Sequence, residues 1–352
     1  MPSGTLTSPT TRSSRSAAGV AVAEEMLQLL ASAGPDDIAM CLLSGGGSAL
    51  LPAPAEGITL ADKLAVTKLL HRSGATIDEM NCVRKHLSRV KGGQMAVAFR
   101  GKLLLSLVIS DVVGDPLDVI ASGPTAPDPT DFGDAYRVLD RYKLLDQVPE
   151  SVSEHLVEGT HGFRPDTPKS IPPSVLNRVI GSNRVALDAA ARAAEDLGYR
   201  VLDLGAFVEG ETNQVAVAVA GLVRSIQRDR VPVAPPACIL VGGETTVTLG
   251  EAAGKGGRNQ EFVLATAAKL GPTGQRGVTV LSGGTDGEDG PTDAAGAIAD
   301  WATRQTASEL GLSAEESLRR HDAYHFFERV GGLLKTGLTG TNVMDVRVIL
   351  VT

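Results

Sequence analysis

The apolar residues of this chain fall into short unbroken runs separated by stretches with helical spacing. Ile38–Leu43, Leu103–Ile109, Val175–Ile180, Val201–Leu204, Cys238–Val241, Val278–Leu281 and Val346–Val351 all have strand length. Runs of this kind between helices predict strands covered on both faces, and hence mostly parallel sheets. The intervening spacing predicts helices over Val20–Ala33, Leu60–Arg72, residues 183–198 and about 214–226. Thr59 with Asp62 reads as a capping box for the second of these, and Gly74 as its terminator. Ser182 and Asn183 are N-cap candidates for the third. The alternation places the chain in the α/β class.

Punctuation suggests the organisation. Residues 1–18 are rich in Ser and Thr and carry no acid, which predicts a disordered terminus. Three prolines in Arg228–Pro236 follow a charged helix end and predict a boundary near residue 232. The expectation is two α/β domains, 19–232 and 233–352, with the cleft between them as the default ligand site.

Composition narrows the partners. At 352 residues and 43% apolar, the chain has material for a sizeable core. A net charge of −8 argues against a nucleic-acid partner held by phosphate neutralisation. No apolar run approaches the roughly 18 residues a membrane helix needs, so no membrane partner is expected. Cys41, Cys82 and Cys238 are odd in number and match no metal spacing, which points to a reducing compartment, taken as cytoplasmic. Arg12 and Arg15 in the acid-poor terminus leave a mitochondrial alternative. The 40 glycines, against 3% aromatics, imply many places where backbone turns tightly or approaches another group closely.

In open parallel sheets, ligands bind beyond the carboxyl ends of strands. Polar residues stand there repeatedly in this chain. Ser44-Gly45-Gly46-Gly47-Ser48 follows the first strand, and Ser110-Asp111 opens the segment after the second, which runs on to Asp115. Gly181-Ser182-Asn183, Gly242-Gly243-Glu244-Thr245-Thr246 and Ser282-Gly283-Gly284-Thr285-Asp286 follow later ones. A glycine-rich turn can present backbone N–H groups to an anion, and five polar strand ends together predict a shared polar site.

Arg84 and Lys91, seven apart, would share one helix face, and Lys85 and Arg89 another, as a clamp for carboxylate or phosphate. The glycines before Arg258 would bring its guanidinium, with Lys255 and Asn259, to a helix start. Asp111, Asp115, Asp286, Asp289 and Asp293 are candidate Mg²⁺ ligands or general bases. His321 and His325 have i, i+4 spacing, better explained by a partly buried helix than by a metal pair. Gly250 to Gly256 lacks the spacing of a phosphate-binding P-loop, and no dinucleotide fingerprint or nucleophile elbow is present.

The segments LLSGGGSALLPAPAEGITLADK, GATIDEMNCVRKHLSRVKGGQMA, SDVVGDPLDVIASGPT, GGETTV, GKGGRNQE, SGGTDGEDGPTDAAGA and GLTGTNVMD, in this order, resemble the class II glycerate kinases, which end in a MOFRL domain. The resemblance runs from about residue 38 to 352 and is nearest in wording to the animal members. It implies a Rossmann-like N-terminal domain followed by the MOFRL domain, with the active site in the cleft between them. It also implies ATP- and Mg²⁺-dependent phosphorylation of D-glycerate to 2-phosphoglycerate. The family's catalytic arginine carries over to Arg258. By chemistry, Ser44 to Ser48 would cradle phosphate, and Arg84 with Lys91 would hold anionic substrate. Asp111 or Asp286 would act on Mg²⁺ or on the attacking hydroxyl, and Asp289 is a further metal candidate. Asn183, Glu244, Lys255 and Asn259 complete the expected binding set. Members of the family carry more chain ahead of the SGGGS strand, with a catalytic lysine. A chain short of about 100 such residues is expected to expose a sheet edge and apolar surface. The small molecules are the expected partners, with a homodimer as the assembly considered. The runner-up is a weakly active or inactive chain that binds nucleotide or glycerate, or pairs with a longer subunit. An oxidoreductase of hydroxypyruvate or tartrate is the third reading, disfavoured by the missing fingerprint.

Overall fold

The structure is a computed structural model that describes residues 17–250 and 254–352. The expected disordered terminus therefore lies outside the described residues up to position 16, and Ala17 already opens the Ala17–Ala31 helix. Among the described residues, no helix is long and apolar enough to cross a membrane.

The chain divides into two compact units. One holds the residues up to Val108 with Asp115–Ile180; the other holds Ile109–Gly114 with Gly181–Thr352. The division thus falls at Gly181 and not near residue 232. The reason is pairing: strand β4 (Arg200–Asp203) runs parallel to β5 (Ala237–Gly243), so both sides of the proline-rich link belong to one sheet.

In the first unit, β1 (Ile38–Leu43), β2 (Leu103–Ile109) and β3 (Val175–Gly181) form a sheet in that order. β1 and β2 are parallel, with Ile38 opposite Leu103 and Leu43 opposite Val108. The expectation of strands covered on both faces does not hold for β1. It is an edge strand, and Ile38, Met40 and Leu42 are 66%, 63% and 72% exposed. The helices around this sheet are well specified locally. The Thr59/Asp62 box starts Leu60–Ser73, which Gly74 ends in a left-handed conformation. A second box, Thr76 with Glu79, starts Ile77–His86. Val66, Leu70, Val83 and Leu87 from this helical layer pack against Leu139 and Leu156.

In the second unit, β4 and β5 are joined by β6 (Val278–Gly284), β7 (Gly296–Ala299), β8 (Leu333–Leu334) and β9 (Asp345–Val351) in the order β4-β5-β9-β6-β7-β8. This sheet is mixed, which corrects the mostly parallel expectation. β9 inserts antiparallel between β5 and β6, and β7 pairs antiparallel on the far side of β6. An apolar run records burial on both faces but not the direction of its neighbour. The Thr212–Asp229 and Arg258–Gly274 helices contribute Val219, Val223 and Phe262 to the main core of this unit, against Ile239 and Val241 of β5. The Asn183–Asp196 helix supplies Leu187 to a separate cluster with Cys238 and Leu240. Burial raises the Cys238 thiol to about 11, as it does for Cys41 and Cys82; Cys82 and Cys238 are buried and Cys41 is half-buried.

Candidate functional sites

In the first unit the glycine-rich segment does turn as its composition suggests. Gly46 has φ of 75°, which a side chain would strain, and it leads into the short Gly47–Leu50 helix. The turn delivers Ser48 to two cations. Arg84 Nη2 donates to Ser48 Oγ at 2.6 Å, while Lys91 Nζ donates to Ser48 Oγ at 2.6 Å and to its carbonyl at 2.7 Å. Ser122 Oγ lies 2.9 Å from the same hydroxyl, and Asn81 Oδ1 receives both Ser122 Oγ and Arg84 Nη1 at 3.2 Å.

Arg84 and Lys91 therefore meet, but not along one helix. Ile77–His86 ends before Lys91, and the turn through Gly92 and Gly93, both at positive φ, returns that lysine to Ser48. Lys85 and Arg89 likewise part: Lys85 pairs with Asp118 and Asp128 at 3.2 Å, and Arg89 bonds Glu24 and the Pro54 carbonyl.

Sequence reasoning missed Lys63. It is only 6% exposed, its Nζ meets no hydrogen-bond acceptor among the described residues, and burial together with the Arg84 charge lowers its amine to about 7. Burial also pushes Lys91 well below the ordinary lysine value, followed by the charges of Lys63 and Arg84. The available signal was a lysine three residues before Val66 on the face that packs inward; helix charge rules read it as a solvated side chain.

In the second unit the antiparallel insertion of β9 makes the site. Asp345, its first residue, stands opposite Gly243 on one side and Gly284 on the other, at the carboxyl ends of β5 and β6. Arg258, first residue of its helix, donates from Nε and Nη2 to both Asp345 oxygens at 2.7 and 3.0 Å. Its Nη1 meets Glu244 at 2.8 Å. Asn259 Nδ2 and Arg347 Nη2 also donate to Asp345, at 2.9 and 3.1 Å. A bidentate pair of this kind fixes both position and orientation of the guanidinium. Asp345 and Arg347 carried no assigned role in the sequence; Asp345 read only as the last residue of a motif before an apolar strand.

Other expected ligands have structural work. Asn183 is buried; it donates to the carbonyls of Val343 and Asp345 at 2.8 Å and accepts from Gly243 N–H at 3.2 Å. It brackets β5 to the segment entering β9. A Cβ on Gly242 would sit 1.7 Å from its oxygen, which accounts for glycine there. Asp289, also buried, accepts the N–H groups of Asn259 and Gln260 at 3.0 and 2.9 Å. It caps the Arg258 helix, so its oxygens are committed to the protein. Lys255 Nζ lies 3.8 Å over the Tyr324 ring. His321 precedes the Ala323–Val330 helix and bonds Glu261, whereas His325 bonds Asp322, so they share no helix face.

Two carboxylates of this unit are perturbed by burial. Burial raises the Asp111 carboxyl above its ordinary value. Glu244 is raised by burial and by the charges of Asp345, Asp111 and Asp286, against the pull of Arg258, so all four acids share one electrostatic neighbourhood. Asp286 Oδ1 accepts from Glu288 N–H at 3.0 Å. No group of three or more potential ligands forms a metal cage among the described residues. Mg²⁺ asks for less, usually one or two carboxylates completed by water and phosphate oxygens.

Residues 9–157 match a domain of unknown function (DUF4147), and residues 237–345 match the MOFRL family. The glycerate 2-kinase of Pyrococcus horikoshii is 44% identical over 330 residues, covering 94% of this chain and 74% of the relative. This chain belongs to the glycerate kinase family. A relative from Agrobacterium vitis with the provisional name hydroxypyruvate reductase is 44% identical over 333 residues, again covering 94% of this chain and 74% of its own length. The crystal structure of glycerate kinase from Thermotoga maritima superposes with a TM-score of 0.87 at 36% identity, covering 96% of this chain and 78% of that one. The division into two units is consistent with these structural neighbours.

Proposed function

We propose that this chain transfers the γ-phosphoryl group of ATP to D-glycerate, giving 2-phosphoglycerate. The observation that carries the reading is the Arg258 guanidinium, locked by Asp345 and Glu244 at the carboxyl ends of β5 and β6. Phosphoryl transfer asks a protein for alignment and charge neutralisation more than for covalent help, and a pre-oriented arginine supplies both. Burial and its two acidic partners hold the guanidinium in place before any ligand arrives, so little reorganisation is needed during reaction.

In the first unit, Arg84 and Lys91 around Ser48 hold an oxyanion, and the Ser44–Ser48 turn shapes that position. In the second, Asp111 has the proton affinity of a buried carboxyl and is assigned to accept the hydroxyl proton. Asp286 is assigned to Mg²⁺, which when bound neutralises charge on the phosphoryl oxygens. The family names of the relatives support this chemistry, and the hydroxypyruvate name on one of them supplies the competing outcome.

The test is turnover by the purified chain with D-glycerate, ATP and Mg²⁺, followed as ADP release. The expected result is glycerate-dependent ADP. NAD(P)H-dependent reduction of hydroxypyruvate without ADP formation would replace the kinase by the reductase.

A further inference from the structure

Lys63 is a buried amine with no internal use. It lies on the Leu60–Ser73 helix at 6% exposure, and its Nζ has no acceptor among the described residues. A buried unpaired amine is costly, and it is tolerated where something outside the chain supplies the missing partner. Lys91, 2% exposed, donates to the two neutral oxygens of Ser48. Among the described residues, no carboxylate stands within ion-pair distance of either lysine. Several other ionisable groups on the packed helices are engaged elsewhere. Asp62 holds Thr59 and Ser151, Glu79 holds Thr76 and Tyr142, Lys85 holds Asp118 and Asp128, and His155 bonds the His86 carbonyl.

We infer that Lys63 is the third cation of the Ser48 site and takes up a proton from solvent when a small oxyanion, carboxylate or phosphoryl, binds there. The inference rests on the reading of that site under the proposed function and adds a residue and a proton to it. Its physical basis is reciprocal. Burial, with the Arg84 charge, lowers the Lys63 amine to about 7, and burial with the charges of Lys63 and Arg84 lowers Lys91; an arriving anion cancels that repulsion and raises the amine again. Binding then draws the amine into its charged form, so affinity is highest at and below about pH 7 and falls as pH rises above it.

The experiment is titration calorimetry on the full chain without nucleotide, in buffers of different ionisation enthalpy at pH 7.5. Sulfate serves as the first probe because its charge does not change in this range. D-glycerate and tripolyphosphate then separate the carboxylate from the phosphoryl source. The wild type is expected to absorb a substantial fraction of one proton per anion bound, with affinity falling roughly tenfold from pH 7 to 8.5. Lys63→Met should lose at least about tenfold in affinity and most of the uptake, and Lys63→Arg should bind without that proton. Absence of proton uptake in the wild type overturns the inference without any variant having to fold. Unchanged affinity and uptake in a folded Lys63→Met does the same. The turnover assay is independent: uptake without ADP would sink the kinase reading alone, and ADP without uptake would sink this one alone.

Discussion

The two units bury cations in opposite ways. Around Asp345, two arginines are met by carboxylates: Arg258 by Asp345 and Glu244, and Arg347 by Asp345. Of the buried lysines of the first unit, Lys91 faces the hydroxyl and carbonyl oxygens of Ser48, and Lys63 has no hydrogen-bond partner among the described residues. An ion-paired network fixes geometry, because each cation already has a carboxylate partner, even though Arg347 Nε and Nη1 meet no hydrogen-bond partner among the described residues. A network without such partners stores an affinity for whatever brings negative charge. The contrast assigns the first region to holding an arginine still and the second to receiving an anion.

The sharpest way to break that contrast is to remove the carboxylate that both arginines share. Asp345→Ala leaves Arg347 buried and Arg258 held only by Glu244, and should cost about 3–5 kcal/mol. Urea denaturation reads this directly, and a loss below about 1 kcal/mol would show that the network is not a structural lock. Arg258→Ala attacks function on the same side. Asp345 keeps Arg347 and Asn259, so the fold should survive while glycerate-dependent turnover drops by about a thousandfold or more. Near-normal turnover would remove Arg258 from the reaction.

In the first unit the expected sign reverses. Lys63→Met removes a buried amine that has no partner among the described residues, so the variant should be more stable than the wild type. Because the folded amine sits near 7 and an unfolded lysine near 10.4, the wild type regains stability as pH rises between those values. The advantage of the variant should therefore be full below pH 7, a few kcal/mol at most, and shrink toward pH 10. Thermal melts across pH measure it, and a constant difference would mean that Lys63 is solvated. The smallest effect is expected for Glu244→Gln, which leaves the bidentate Asp345 contact intact. Stability should change by less than about 1 kcal/mol, with a modest fall in turnover from a less constrained Arg258.

Much of this was legible in the sequence, for local reasons. The seven apolar runs became strands, the Thr59/Asp62 box and Gly74 bound their helix, and SGGGS sits at a strand end as a left-handed turn. Arg258 and Ser48 were singled out because glycine-rich turns carry their own signal, and each stands in an ordered polar cluster. What failed depended on distant pairing. Asp345 lies 87 residues from Arg258 and gains its role only because β9 inserts antiparallel. Asn183 and Asp289 looked like ligands because they follow strands, yet each is consumed by backbone amides or carbonyls that the fold brings to them. Lys63 escaped because its burial is set by packing against other helices, which no helix-face charge rule registers.

The most direct test of the account is ³¹P NMR of the purified chain with D-glycerate and Mg-ATP. The account predicts loss of the ATP γ-signal and growth of 2-phosphoglycerate, its phosphorus coupled to the single C2 proton. A phosphorus coupled to the C3 methylene would contradict the assigned product, and an ATP spectrum unchanged by active, folded protein would contradict the kinase itself.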